Sequence, residues 1–214
     1  MQRANRVGSE FAISAGAVLR LDRRLVGANI GYGSATINDT TTSGGVSTSS
    51  SQTMTGVLGG GQIGANYQYG HTVFGFEIDA AATNQSVSSD TLTASMTSFA
   101  TARARLGFAY DRIHYYVTGG GGYVQFSSSG TTTSPATGTA VSTTGTSRRT
   151  AWVAGVGSEH AITPNWILRF EFLYLGLLDN SQNSASAIPA TSSESVYNLI
   201  GRVGLNYKFN WPGS

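Results

Sequence analysis

The chain has 214 residues, and its thirteen Lys/Arg and eleven Asp/Glu make up only 11% of it, against about 25% in a soluble globular domain. Such a chain cannot clothe itself in an ordinary charged surface, and its 40% hydrophobic content excludes general disorder. No apolar run approaches the roughly 18 residues of a membrane-crossing helix, which leaves one class able to satisfy its backbone in lipid, the closed β-barrel.

The net charge of +2 is local. Arg3, Arg6, Arg20, Arg23 and Arg24 stand against Glu10 and Asp22 in the first 24 residues, so the remainder carries −1. A folded body without a basic stripe gives no footprint for nucleic acid. The absence of cysteine excludes disulfides and thiol chemistry. Residues 1–24 read as a leader outside the fold, a tag or a mis-set start. Gly8-Ser9-Glu10-Phe11 resembles a translated cloning linker, and Arg20, Asp22, Arg23 and Arg24 occupy the place where a signal peptide would have a small-residue cleavage site. Residues 25–209 are read as one barrel and 210–214 as a short tail.

From Val26 onward the governing period is two, because successive strand side chains point to opposite faces. Val26, Ala28, Ile30 and Tyr32 oppose Asn29 in the first strand. Val57, Ile63, Ala65 and Tyr67 oppose Leu58, Gln62 and Asn66 in the second; Phe74, Phe76, Ile78 and Ala80 oppose Glu77 and Asp79 in the third. Ala100, Ala102, Ala104, Leu106, Phe108 and Tyr110 oppose Thr101, Arg103 and Arg105 in the fourth. Residues 113–126 form a fifth strand whose facing is left open by the four glycines Gly119 to Gly122. In the sixth, Trp152, Ala154, Val156, Ser158, His160 and Ile162 oppose Glu159. The seventh sets Trp166, Leu168, Phe170, Phe172 and Tyr174 against Arg169 and Glu171, and the eighth sets Tyr197, Leu199, Val203, Leu205, Tyr207 and Phe209 against Asn198, Arg202, Asn206 and Lys208. Eight strands, all-β, antiparallel and up-and-down, fit the even strand number of bacterial membrane barrels.

The connections alternate in length. Short turns fall near Gly70-His71, Asp111-Arg112 and Thr163-Pro164-Asn165, and Ser/Thr/Gly-rich segments cover roughly 34–54, 84–98, 127–148 and 179–195. The long segments read as flexible, low-complexity connections over most of their length. Tyr67, Phe74, Phe108, Tyr110, Trp166, Tyr207 and Phe209 gather beside the short turns, and Trp152, Tyr174 and Tyr197 lie toward the long loops, as two interfacial aromatic girdles would.

The segments VGANIGYG (26–33), TVFGFEIDAAAT (72–83), ATARARLGFAYDR (100–112), TPNWILRFEFLYLGL (163–177) and VGLNYKF (203–209) resemble the small porin-like outer-membrane β-barrel proteins of alphaproteobacteria, the surface-antigen and heme-binding-type group. The resemblance covers about 26–209 and implies an eight-stranded barrel in the outer membrane. The family's aromatic lead-in before Val26 is absent, and Asn210 to Ser214 follow the terminal aromatic.

Glu77, Asp79, Glu159 and Glu171, with Arg103, Arg105, Arg169 and Arg202, form the main candidate site. Four acids and four bases lie on the inward register, where pairing avoids both the roughly 2–4 kcal/mol cost of a lipid-facing arginine and that of an unpaired buried charge. They read as a salt-bridged interior; eight strands leave room only for side chains or one small ligand. No catalytic residues are assigned. The carboxylates have arginine partners, and Ser158/His160 read as interfacial packing near a short turn. His71, His114 and His160 lie on different strands without metal-ligand spacing, so neither a metal nor a cofactor is expected. Gly119 to Gly122 lacks the following Lys-Ser/Thr of a phosphate loop.

The resulting expectation is a monomeric, non-enzymatic outer-membrane protein with a structural or surface role and a side-chain-plugged interior. Its partners would be outer-membrane lipid and lipopolysaccharide, with an extracellular ligand through the loops as a further reading. The alternatives are a narrow porin for ions or small solutes, a surface binder of heme or a host ligand, and a soluble barrel with its apolar faces turned inward.

Overall fold

The computed structural model describes residues 23–43, 46–88, 92–133, 140–178, 181–184 and 190–209. Nine strands follow in chain order: β1 (Arg23–Ser43), β2 (Val46–Tyr69), β3 (Thr72–Ser88), β4 (Leu92–Tyr110), β5 (Ile113–Thr133), β6 (Ala140–Ala161), β7 (Trp166–Leu177), β8 (Ser181–Ser184) and β9 (Ala190–Phe209). Each long strand pairs antiparallel with the next, and β1 returns to pair with β9 from Arg24↔Phe209 to Ser43↔Ala190. Eight long strands thus close a ring. The four-residue β8 is an extra strand, a hairpin partner of Ala190–Ser193 on β9. β1 begins at Arg23, so Arg23 and Arg24, set aside above with the leader, already pair in the wall. The rest of that leader and the tail 210–214 lie outside the described residues.

The alternation is realised throughout, with the apolar set outward. Ile30, Phe76 and Phe172 are 68%, 53% and 61% exposed, whereas Arg103 and Glu171 are 0% and 1% exposed. This is the inverse of a water-soluble barrel and removes that alternative, since only hydrocarbon can cover such a face. The strand left open by its glycines is now phased: His114, Tyr116 and Thr118 are buried, and Tyr115, Val117 and Tyr123 face out.

The Ser/Thr-rich segments are corrected. Most of 34–54 and 127–148 is strand, with β1 paired to β2 as far as Ser43↔Val46 and β5 to β6 as far as Thr133↔Ala140. Hydroxyls facing one another across the hairpins explain it: Thr40 and Ser49 are 3.1 Å apart and Thr42 and Ser47 2.8 Å. Such cross-strand pairs, with the β preference of threonine, stabilise ribbons that composition alone reads as linker. At the opposite end the turns are tight, with left-handed backbone at Gly70 and Asp111 (φ 61° and 52°), which glycine and aspartate tolerate.

The interior is layered. At the short-turn end Leu25, Val73, Ala109 and Ile167 form a small apolar seal. The charged residues occupy the middle. Beyond them, toward the long hairpins, Leu58, Met96, Phe99, Val153, Leu173 and Ile200 belong to a larger apolar cluster. Curvature crowds this inner side. A Cβ at inward Gly120 or Gly122 would come within 2.0 or 2.1 Å of a β4 carbonyl oxygen, whereas at outward Gly119 or Gly121 the nearest atom is 3.8 or 3.5 Å away. Gly120→Val should therefore block folding, read as loss of the heat-modifiable compact band on electrophoresis, while Gly119→Ala and Gly121→Ala retain it.

Candidate functional site

The site is built from neighbouring strands by register alone. Glu77 stands opposite Arg103 across β3–β4, Glu159 opposite Arg169 across β6–β7, and Glu171 opposite Arg202 across β7–β9. Period-two alternation turns all eight predicted side chains into the lumen, where each is no more than 5% exposed.

They meet across the ring as well as along it. Arg103 reaches Glu77 at 2.5 Å, Asp79 at 3.0 Å and Glu171 at 3.1 Å. Arg169 joins Glu77 and Glu171, each at 2.6 Å. Arg202 contacts Glu171 at 2.5 Å and Asp79 at 2.7 Å, and Arg105 contacts Glu159 at 2.5 Å and Glu77 at 3.4 Å. With both Arg169 Nη groups donating to it at 2.6 Å, Glu77 is held in the fork geometry that makes arginine–carboxylate pairs strong. Four positive and four negative groups share one small volume, so no net charge is left among them to be solvated.

Several members were not anticipated. Tyr116 accepts a hydrogen bond from Arg169 Nε and donates one to Glu171 Oε1, both 2.9 Å, while the Arg105 guanidinium lies 3.9 Å from the centre of its ring. That single phenol therefore couples three of the ionic residues, partly through a cation–π contact. His114 Nδ1 is 3.1 Å from Glu159 Oε2, and the Thr101 hydroxyl donates to Asp79. An amide ladder extends the network toward the short turns: Asn29 Nδ2 donates to Gln62 Oε1 at 2.5 Å, and Gln62 Nε2 to Asn206 Oδ1 at 2.6 Å. The glycine run hid the phase of β5, although the polar set His114, Tyr116, Thr118 beside it carries the same information.

The other candidates fall where the alternation puts them. Tyr67, Phe74, Phe108, Tyr110, Trp152, Trp166, Tyr174, Tyr197 and Phe209 face outward, and Tyr207 is half-buried between Trp166 and Phe209, at ring separations of 5.1 and 5.0 Å. At the other girdle Tyr174 packs between Trp152 and Tyr197, at 5.2 and 5.8 Å. His160 is half-buried with its ring 6.0 Å from that of Phe170, and His71 stacks on Phe108 at 5.3 Å. The three histidines are thus engaged separately.

A closed ring with an apolar exterior, paired girdles and an ionic interior is the geometry of a membrane barrel, and comparison with known proteins assigns its lineage. The family model described as outer membrane protein beta-barrel domain matches residues 11–209. The chain belongs to that family. The 31 kDa outer-membrane immunogenic proteins of Brucella melitensis biotype 1 and Brucella suis biovar 1 are each 33% identical over 175 residues, covering 77% of this chain and 71% of theirs. The protein is thus one of the small alphaproteobacterial outer-membrane β-barrels and resides in the cell outer membrane. Among solved structures, the outer membrane protease OmpT from Escherichia coli has a TM-score of 0.51 at 10% identity, covering 88% of this chain and 97% of that one. At that identity the likeness to OmpT is one of fold alone.

Removing one partner from a buried ionic cluster leaves an uncompensated charge and costs about 3–5 kcal/mol. Arg103→Ala should lower stability by that amount in urea unfolding from lipid vesicles, followed by tryptophan fluorescence. Tyr116→Phe, which removes a hydroxyl but no charge, should cost about 1–3 kcal/mol.

Proposed function

We propose that this protein is a closed outer-membrane barrel with a structural and surface role. Its own side chains plug the lumen, it does not conduct, it catalyses nothing, and it works as a monomer whose outward face is covered by lipid. The observation that carries this reading is the cross-lumen ion-pair network, in which Arg103 and Arg169 join carboxylates of β3 and β7 from opposite sides of the interior. Ion pairs satisfied in this way lower the gain from admitting water or substrate, and the apolar layers on either side add to the seal. The same pairing ties up the carboxylates that acid–base chemistry would need.

The surface part of the role falls to the paired ribbons at the long-loop end. The name of the Brucella relatives as immunogenic proteins supports exposure of the corresponding ribbons here. An extracellular ligand would meet mainly Ser, Thr and Gly there; the three histidines lie toward the other end of the strands, which disfavours heme capture through histidine.

Planar bilayers decide between plug and pore. The purified barrel should insert without steady unit conductance. A steady single-channel current would overturn the plug and establish a narrow porin, and Glu77→Gln and Arg103→Gln should then shift its ion selectivity.

A further inference from the structure

A large cleft lies on the outside of the wall. It occupies about 660 Å³ across β3, β4, β5 and β6, where the outward positions Ala80, Ala82 and Ala100 are too small to fill the surface and Tyr123 stands beside them. At its long-loop edge is Arg148, which shares the outward alternation of β6 with Thr150 and Trp152. Among the described residues it is the single ionic side chain on the outward register in the long-loop half of the barrel. The composition of 127–148 suggests a loop there; the extension of β6 instead puts Arg148 on the lipid-side surface, four residues beyond the girdle residue Trp152.

An arginine just beyond an aromatic girdle sits at the depth of lipid headgroups, because girdle rings mark the boundary of the hydrocarbon. Arg148 Nε donates to Gln125 Oε1 at 3.2 Å, which orients the guanidinium and leaves its fork of terminal nitrogens for a second acceptor. At headgroup depth, phosphate is an acceptor that the fork matches. The floor of the cleft at Ala80, Ala82 and Ala100 is apolar and continuous with the lipid-facing wall, with Ser98, Gln125 and Thr150 also lining it, so hydrocarbon suits the alanine floor.

We propose that this cleft binds one phosphorylated acyl lipid of the outer leaflet, with an acyl chain on the alanines and the phosphate on Arg148. The site is independent of whether the lumen conducts. Native mass spectrometry of the purified full chain in neutral detergent, titrated with bisphosphorylated lipid A, tests it. The wild type should take up one lipid A. Arg148→Gln should weaken binding about tenfold, the loss of one charged hydrogen-bonding partner. Ala100→Phe, which fills the cleft and keeps the arginine, should weaken it comparably. Dephosphorylated lipid A should not distinguish wild type from Arg148→Gln. Heat-modifiable electrophoresis checks that both variants are folded, and neither alters the lumen. Equal affinity of the three proteins for lipid A overturns the proposal. So does a loss confined to Arg148→Gln, or a second copy of the chain seated in the cleft in place of lipid.

Discussion

Hydrocarbon offers no hydrogen bond to a peptide group, and that one deficiency dictates the rest of this molecule. A sheet placed in lipid must have no open edge, so β9 has to come back to β1, as it does over twenty register pairs from Arg24↔Phe209 to Ser43↔Ala190. Closure assigns every residue one of two solvents, lipid outside or the lumen within. The outer solvent accepts Ile, Phe, Val and Leu. Between the girdles the charged residues are left to the lumen, where water is scarce and another side chain has to meet them.

The ionic core is the solution to that second problem. Eight strands enclose too little space for both eight charged side chains and their hydration, so the arginines and carboxylates hydrate one another. Arg103 with three carboxylates, and Glu77 with contacts from all four arginines at 2.5 to 3.7 Å, act as the hubs. Such a core need not add net stability over an apolar one. What it does enforce is specificity, because a slip of one residue in β3, β4, β6, β7 or β9 would move charges into lipid. Tyr116 and the Asn29–Gln62–Asn206 ladder extend the same logic to neutral groups, which donate to and accept from one another and the ionic residues inside the ring.

Much of this is legible in the amino-acid sequence. The alternation of Phe74, Phe76 and Ile78 with Glu77 and Asp79, and of Phe170 and Phe172 with Arg169 and Glu171, requires a wall with one apolar and one ionic face. The balance of four acids and four bases requires pairing. Composition misled over the Ser/Thr-rich segments, because hydroxyl residues are compatible with both linker and ribbon, and the difference lies in cross-strand partners such as Thr42 and Ser47. The glycines at 119–122 concealed the phase of β5, since a residue without a side chain has no face to declare. Tyr116 was lost with them.

The amino-acid sequence by itself determined the eight strands of the ring, the inside and outside of nearly every one of them, and the set of charges that had to meet. These are properties of period and sign, and both are local. Tertiary structure alone decided which carboxylate meets which arginine across the lumen, that an apolar layer of Leu58, Phe99, Leu173 and Ile200 lies beyond the ionic one, and that Arg148 stands on the outer surface above a cleft. Those facts depend on the stagger between strands and on the curvature of a closed ring, which set distances between residues a hundred positions apart and leave no mark on the pattern within any single strand.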